Sequence, residues 1–132
     1  MNVPVRKNLT IIGSGFAGLT AAKKLRKKLP EAEISLISPR AELMYAPSLI
    51  WIPTRLRKPA DLIYPLERLF RKLNIRHIPA SVTGLKNKGR TVITSQGEYD
   101  NDYLLIASGG RYIKKLPGIE NAITICEGIA AA

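Results

Sequence analysis

Gly13-Ser14-Gly15-Phe16-Ala17-Gly18 has the spacing GxGxxG, the strongest chemical signal in the sequence. Each glycine answers a separate physical need. Gly13 permits a tight turn. Gly15 has no Cβ, so an anionic group can approach the backbone. Gly18 lets the following helix pack closely against what precedes it. A helix opening at this point presents N–H groups and the positive end of its dipole, which together suit a diphosphate. Alone the pattern is weak, and a structural glycine-rich turn would also satisfy it. Its context gives it weight, because it must follow a strand directly and open a helix.

The flanking sequence meets that condition. Asn8-Leu9-Thr10-Ile11-Ile12 is a short apolar, β-branched run of the kind buried at the centre of a sheet. After the glycines the period changes. Leu19, Ala22, Leu25 and Leu29 recur every three or four residues while Lys23, Lys24, Arg26, Lys27 and Lys28 take the other face, and Pro30 ends the segment. Glu33-Ile34-Ser35-Leu36-Ile37-Ser38 restores strand character before Pro39. Strand, glycine turn, helix and strand form a βαβ unit whose two strands should run parallel.

A fold of this kind normally carries Asp or Glu at the end of its second strand, where it bonds a ribose hydroxyl. Here Ser38 stands there, followed by Pro39 and Arg40. Serine can still bond a ribose hydroxyl, but singly and without charge. Arg40 would suit a 2′-phosphate, which keeps NAD(P) open as a ligand, or is simply a solvated surface charge.

Residues 40–58 show no clean period and contain Pro47 and Pro53, which implies a long ordered excursion. Pro65 fits the first turn of a helix with Leu66, Leu69, Phe70 and Leu73 as its apolar stripe. Residues 76–79 read as a strand. Residues 81–85, 90–95 and 98–101 read as a small antiparallel meander punctuated by Gly84, Gly89 and Gly97. Tyr103-Leu104-Leu105-Ile106-Ala107 is continuous and apolar, so it should return to the buried sheet, with Ser108-Gly109-Gly110 as a turn. Residues 123–125 are strand-like, and residues 127–132 begin a helical pattern that stops after about one turn, which reads as a piece of a longer protein. The expected fold is α/β: a Rossmann-like parallel sheet with a βαβ dinucleotide-binding unit and a small antiparallel β-meander, one domain over residues 1–132.

Composition narrows the classes. The 132 residues carry 45% hydrophobic and 23% charged side chains, ordinary globular usage that excludes a disordered or fibrous chain. The net charge of +11 implies an acidic partner of some kind. Fourteen of the 21 basic residues, against five of the ten acidic ones, fall within residues 1–72. No apolar run reaches the roughly 20 residues that span a bilayer, and the first residues lack a long apolar stretch and a small-residue cleavage site, so secretion is not expected. One cysteine cannot close an internal disulfide. The expected location is cytoplasmic, with a peripheral position at the inner face of a membrane as the extension.

The order of GSGFAG, LISPRAE, a downstream Pro47-Ser48 pair, the meander, LLIASGG and a late Thr-Ile-Cys resembles the N-terminal FAD-binding region of the pyridine nucleotide-disulfide oxidoreductase superfamily. Within it the sequence is most similar to the sulfide:quinone oxidoreductases and the flavoprotein of flavocytochrome c sulfide dehydrogenase, with type II NADH dehydrogenases as close relatives. The resemblance covers essentially the whole chain and only the first third of such a protein.

That resemblance implies FAD as cofactor and a set of roles. Gly13, Ser14, Gly15, Phe16, Ala17 and Gly18 would hold the pyrophosphate. Ser38 and Arg40 would face the adenosine ribose, and Pro47 and Ser48 would lie near the flavin. Ser81 and Val82 would contact adenine. Ala107-Ser108-Gly109 would close over the cofactor, with serine in place of the usual threonine. Cys126 matches the first redox cysteine of the sulfide-oxidising enzymes. Its partner sulfur is not in this chain, so its role as a redox thiol is conditional, and a small buried hydrophobe is the other reading. A second dinucleotide domain or a partner subunit would have to complete the site, and the whole protein would pass electrons from sulfide through flavin to quinone. The fragment alone is expected to be inactive. The alternatives are a type II NADH dehydrogenase-like flavoprotein and a non-catalytic adenine-dinucleotide-binding module; a homo-oligomer is compatible with each.

The remaining candidates read as structural. His77 has no Cys, Asp or Glu at ligand spacing, and no metal-binding pattern exists. Leu49, Ile50, Trp51 and Ile52 form an apolar patch that reads first as a docking surface for another domain, and otherwise as the lining of a flavin or quinone pocket or a plug of the core. The lysine face of the first helix reads first as solvated, second as a membrane-facing surface and third as a nucleic-acid surface. The third reading ranks last because the aromatic residues, 6% of the total, do not interleave with the lysines.

Overall fold

The computed structural model describes residues 6–110, 113 and 115–122. The chain divides into two compact units, Met1–Ala41 with Pro65–Ser108, and Glu42–Tyr64 with Gly109–Ala132.

The first unit begins with strand β1 (Asn8–Ile12), helix α1 (Phe16–Lys28) and strand β2 (Glu33–Ser38). β1 and β2 pair in parallel, with Ile11 opposite Leu36 and Ile12 opposite Ile37. The βαβ unit is therefore present as the change of period required. α1 carries no acidic residue in its first turn and has Arg26, Lys27 and Lys28 in its last, so its positive end stays unneutralised and its negative end is complemented.

In the second unit, β3 (Glu42–Met44) pairs with β4 (Ile63–Pro65), and the chain between them forms 3-10 turns at Ala46–Trp51 and Pro59–Leu62. Leu49 and Leu62 are buried, whereas Ile50 and Trp51 are exposed.

The first unit resumes at α2 (Glu67–Lys72), a helix of only six residues. Pro65 ends β4 and does not sit in the first turn of that helix, whose N-cap is Leu66. A proline fixes φ near −65° in either setting, and its residue type alone does not separate them. Leu66 and Phe70 are buried, as the stripe required. β5 (Ile75–Pro79) then pairs in parallel with β2, placing His77 opposite Leu36 and Pro79 opposite Ser38. The antiparallel meander follows as β6 (Val82–Lys86), β7 (Thr91–Thr94) and β8 (Gly97–Asp100). β9 (Tyr103–Ile106) returns beside β1, giving the parallel order β5-β2-β1-β9.

Alternation along the strands divides the core between the two faces of this sheet. Ile12, Ile37 and Ile78 cluster with Ala80 and with Val92 of the meander. On the other face α1 approaches closely: a Cβ on Gly18 would lie 3.5 Å from a methyl of Ile11. Leu19 and Ala22 are buried there, but Leu29, at the end of the same stripe, is exposed.

β9 rejoins the sheet but is not buried: Tyr103, Leu105 and Ile106 are exposed. Among the described residues it is an edge strand with a neighbour on one side only, which an apolar sequence does not reveal. On the α1 face, Tyr103 and Leu105 line an apolar groove of about 570 Å³ with Leu25 and Leu29.

Candidate functional site

The carboxyl end of the parallel strands gathers the glycine turn, Ser38 and Ala107-Ser108, the usual place for a ligand in an open α/β sheet. Gly13 leaves β1 with φ +104° and donates its N–H to Ile37 O at 2.9 Å, tying the turn to β2. A side chain here would be strained, and its Cβ would run into the backbone carbonyl of Ala107 and come within 3.3 Å of the Ser108 Cα. Ala107 in turn donates its N–H to Ile12 O at 2.8 Å. Gly13 and the Ala107-Ser108 pair thus fit together only because position 13 has no side chain.

Gly18 is constrained as strongly. Its Cβ would overlap the carbonyl oxygen of Gly13 and lie 3.2 Å from the carbonyl carbon. Close packing at this glycine is therefore against the turn itself as well as against Ile11.

Gly15 is different. It is the N-cap of α1, with φ −75° and ψ −175°, an extended conformation open to any residue. A Cβ built on it meets nothing within 4 Å. Among the described residues neither backbone strain nor packing requires glycine at 15, which leaves its backbone open to the close approach of another group. The adjoining helix terminus has no side-chain cap, and the first-turn N–H groups of a helix lack intrahelical partners. The residues present fit a bound diphosphate.

Ser14 is half-buried, and Phe16 and Ala17 are exposed on the same turn. Ser38 is buried at the end of β2. Its Oγ donates to Arg40 O at 2.8 Å and lies 3.0 Å from His77 Nε2, which is also 3.2 Å from Ser38 O. The His77 ring stacks on Phe70, with centroids 5.2 Å apart and 24° between planes. Arg40 is exposed. Ser81 lies two residues beyond β5 and is held to the meander, its N–H donating to Ser95 Oγ at 3.2 Å and its carbonyl accepting from Ser95 N at 2.9 Å. Val82 opens β6 opposite Thr94.

The first unit therefore contains Gly13–Gly18, Ser38, Arg40, Ser81, Val82, Ala107 and Ser108. Pro47 and Ser48 lie in the 3-10 turn at Ala46–Trp51 of the second unit, to which Gly109 (φ +79°) also belongs. Cys126 lies outside the described residues. His77, read from the sequence as a structural strand residue, is brought to Ser38 by the fold. Its tie to Ser38 spans 39 positions and depends on strand register, for which no local pattern gives a sign.

Comparison with known proteins identifies the family of the chain. Residues 7–132 match the family model "Pyridine nucleotide-disulphide oxidoreductase". The chain belongs to this family. Sulfide-quinone reductase of Aquifex aeolicus is 33% identical over 122 residues, covering 91% of this chain and 28% of that protein. Type II NADH:quinone oxidoreductase of Staphylococcus aureus is 33% identical over 117 residues, covering 87% and 29%. The crystal structure of sulfide:quinone oxidoreductase from Aquifex aeolicus superposes with a TM-score of 0.83 at 31% identity, covering 95% of this chain and 29% of that one. The chain thus spans under a third of the length of the relatives it matches.

Proposed function

We propose that this chain is the FAD-binding part of an FAD-dependent oxidoreductase of the sulfide:quinone type. The observation that carries the reading is the contrast among the three glycines. Gly13 and Gly18 are filled in by the chain's own backbone, while Gly15 has open space beside it, among the described residues, at a helix terminus without a side-chain cap. A diphosphate is the group that both the vacant volume and the helix dipole favour. FAD, when bound, supplies the two-electron redox chemistry.

The chain's own residues bind and orient. Gly13 to Gly18 hold the diphosphate through backbone N–H groups. Ser38 and Arg40 face the adenosine ribose, Ser81 and Val82 the adenine, and Ala107-Ser108-Gly109 closes over the cofactor. Pro47 and Ser48 border the flavin, and Cys126 serves as a redox thiol once a partner sulfur is supplied. That sulfur and the rest of the flavin site come from further parts of a longer protein or from a second subunit, in keeping with relatives about three times as long. We read residues 1–132 as one dinucleotide-binding domain in that setting.

Sulfide as donor and quinone as acceptor are the reading that the Aquifex relative supports, with a peripheral position at the inner face of the membrane. Among the described residues no helix is long and apolar enough to cross a membrane. The exposed Lys23, Lys24, Lys27 and Lys28 on α1 suit an anionic surface. NADH as donor is the second reading, favoured by the equal identity to the NADH:quinone relative.

Mass spectrometry of the ligand released when the FAD-reconstituted chain is denatured tests the assignment. Recovery of FAD in stoichiometric amount is expected. Recovery of NADP from a mixture of both would overturn it, and a chain that binds ADP but never flavin would be the non-catalytic module.

A further inference from the structure

Ser38 stands where a carboxylate would normally receive a ribose hydroxyl, and its surroundings restrict what it can do. A hydroxyl has one proton to donate and two lone pairs to accept with. The proton goes to Arg40 O, 2.8 Å away. His77 Nε2 sits 3.0 Å from Oγ and 3.2 Å from the Ser38 carbonyl oxygen. A carbonyl oxygen only accepts, so both contacts are satisfied when Nε2 carries the proton and points it between the two oxygens. His77 then occupies one lone pair of Oγ. The residue is 4% exposed, so the hydroxyl cannot swing to another rotamer without breaking both bonds inside the protein.

One lone pair remains. An ordinarily amphoteric hydroxyl has become an acceptor, with the hydrogen-bonding polarity of a carboxylate at the same strand end. The imidazole is itself fixed, by its stack on buried Phe70 and by the register that sets His77 opposite Leu36.

We propose that His77 is a positioning residue that locks Ser38 as an acceptor for the 2′-hydroxyl of the bound nucleotide, so that the site takes an unphosphorylated adenosine ribose. This rests on reading the turn as the adenosine end of a dinucleotide site. A free 2′-hydroxyl has a proton to give to Ser38. A 2′-phosphate offers oxygens that accept, and it would meet an oxygen with no proton to give. The lock selects an FAD-type ribose over an NADP-type one.

Calorimetric titration of the full chain with ADP, 2′-deoxy-ADP and 2′-phospho-ADP tests this, with His77→Phe and His77→Gln beside the unmodified protein. Phenylalanine keeps the stack on Phe70 and removes the donor; glutamine restores an N–H. ADP should bind the unmodified chain about five-fold more tightly than either analogue, the worth of one hydrogen bond. His77→Phe should lose that factor for ADP while leaving 2′-deoxy-ADP unchanged, and His77→Gln should recover most of it. A purely structural histidine would instead weaken ADP and 2′-deoxy-ADP alike, which would overturn the proposal. So would equal binding of 2′-phospho-ADP and ADP by the unmodified chain. If that chain binds none of the three, the dinucleotide reading itself fails and the inference falls with it.

Discussion

β1 and β9 run side by side in one sheet with nearly the same chemistry, yet their residues meet opposite surroundings. Ile11 is fully buried and its register partner Leu105 is 39% exposed; Ile12 is 8% exposed and its partner Ile106 58%. The difference lies in what covers them. β1 has a strand on each side, α1 over one face and the meander core over the other. Among the described residues β9 has β1 alone beside it, and on the α1 face it borders an open groove. Apolar composition says that a segment can be buried; only topology says that it is.

The same contrast explains why the glycine turn at the end of β1 is so exacting. It sits where backbone meets backbone, so two of its glycines have no tolerance, while a Cβ on the third would meet nothing within 4 Å among the described residues.

Three substitutions in order of effect probe this contrast. Gly18→Val drives a side chain into the Gly13 carbonyl, and thermal or urea denaturation should show a loss beyond about 4 kcal/mol, or no folded protein. Ile11→Ala should cost about 3 kcal/mol by the same urea measurement, from lost burial plus the cavity it leaves. The matched change on the neighbouring strand, Leu105→Ala, should stay within about 0.5 kcal/mol, as exposed positions do. Equal losses at Ile11 and Leu105 would mean that β9 is as enclosed as β1, and the comparison would break.

Much of this architecture was legible in the sequence. The switch from a β-branched run to a 3.6-residue period and back located β1, α1 and β2, and glycine punctuation outlined the meander. What escaped depended on distance along the chain. Leu29 completes a good apolar stripe, yet it is exposed because the sheet beneath it ends at β9. Pro65 closes a strand where it was expected to open a helix. Ser38 was recognisable as the residue in the carboxylate's place, but its lock was not. His77 reaches it only because β5 pairs with β2 in one particular register, and a lone strand histidine carries no mark of that.

Gly15→Val tests the central claim most directly, because the backbone at 15 accepts valine without strain and none of the described residues fills the space beside it. Calorimetric titration with ADP, paired with a thermal melt, should show affinity falling at least about tenfold while the melting temperature moves by less than about 4 °C. Undiminished ADP affinity in a folded Gly15→Val chain would contradict the claim that this glycine is kept bare for a diphosphate.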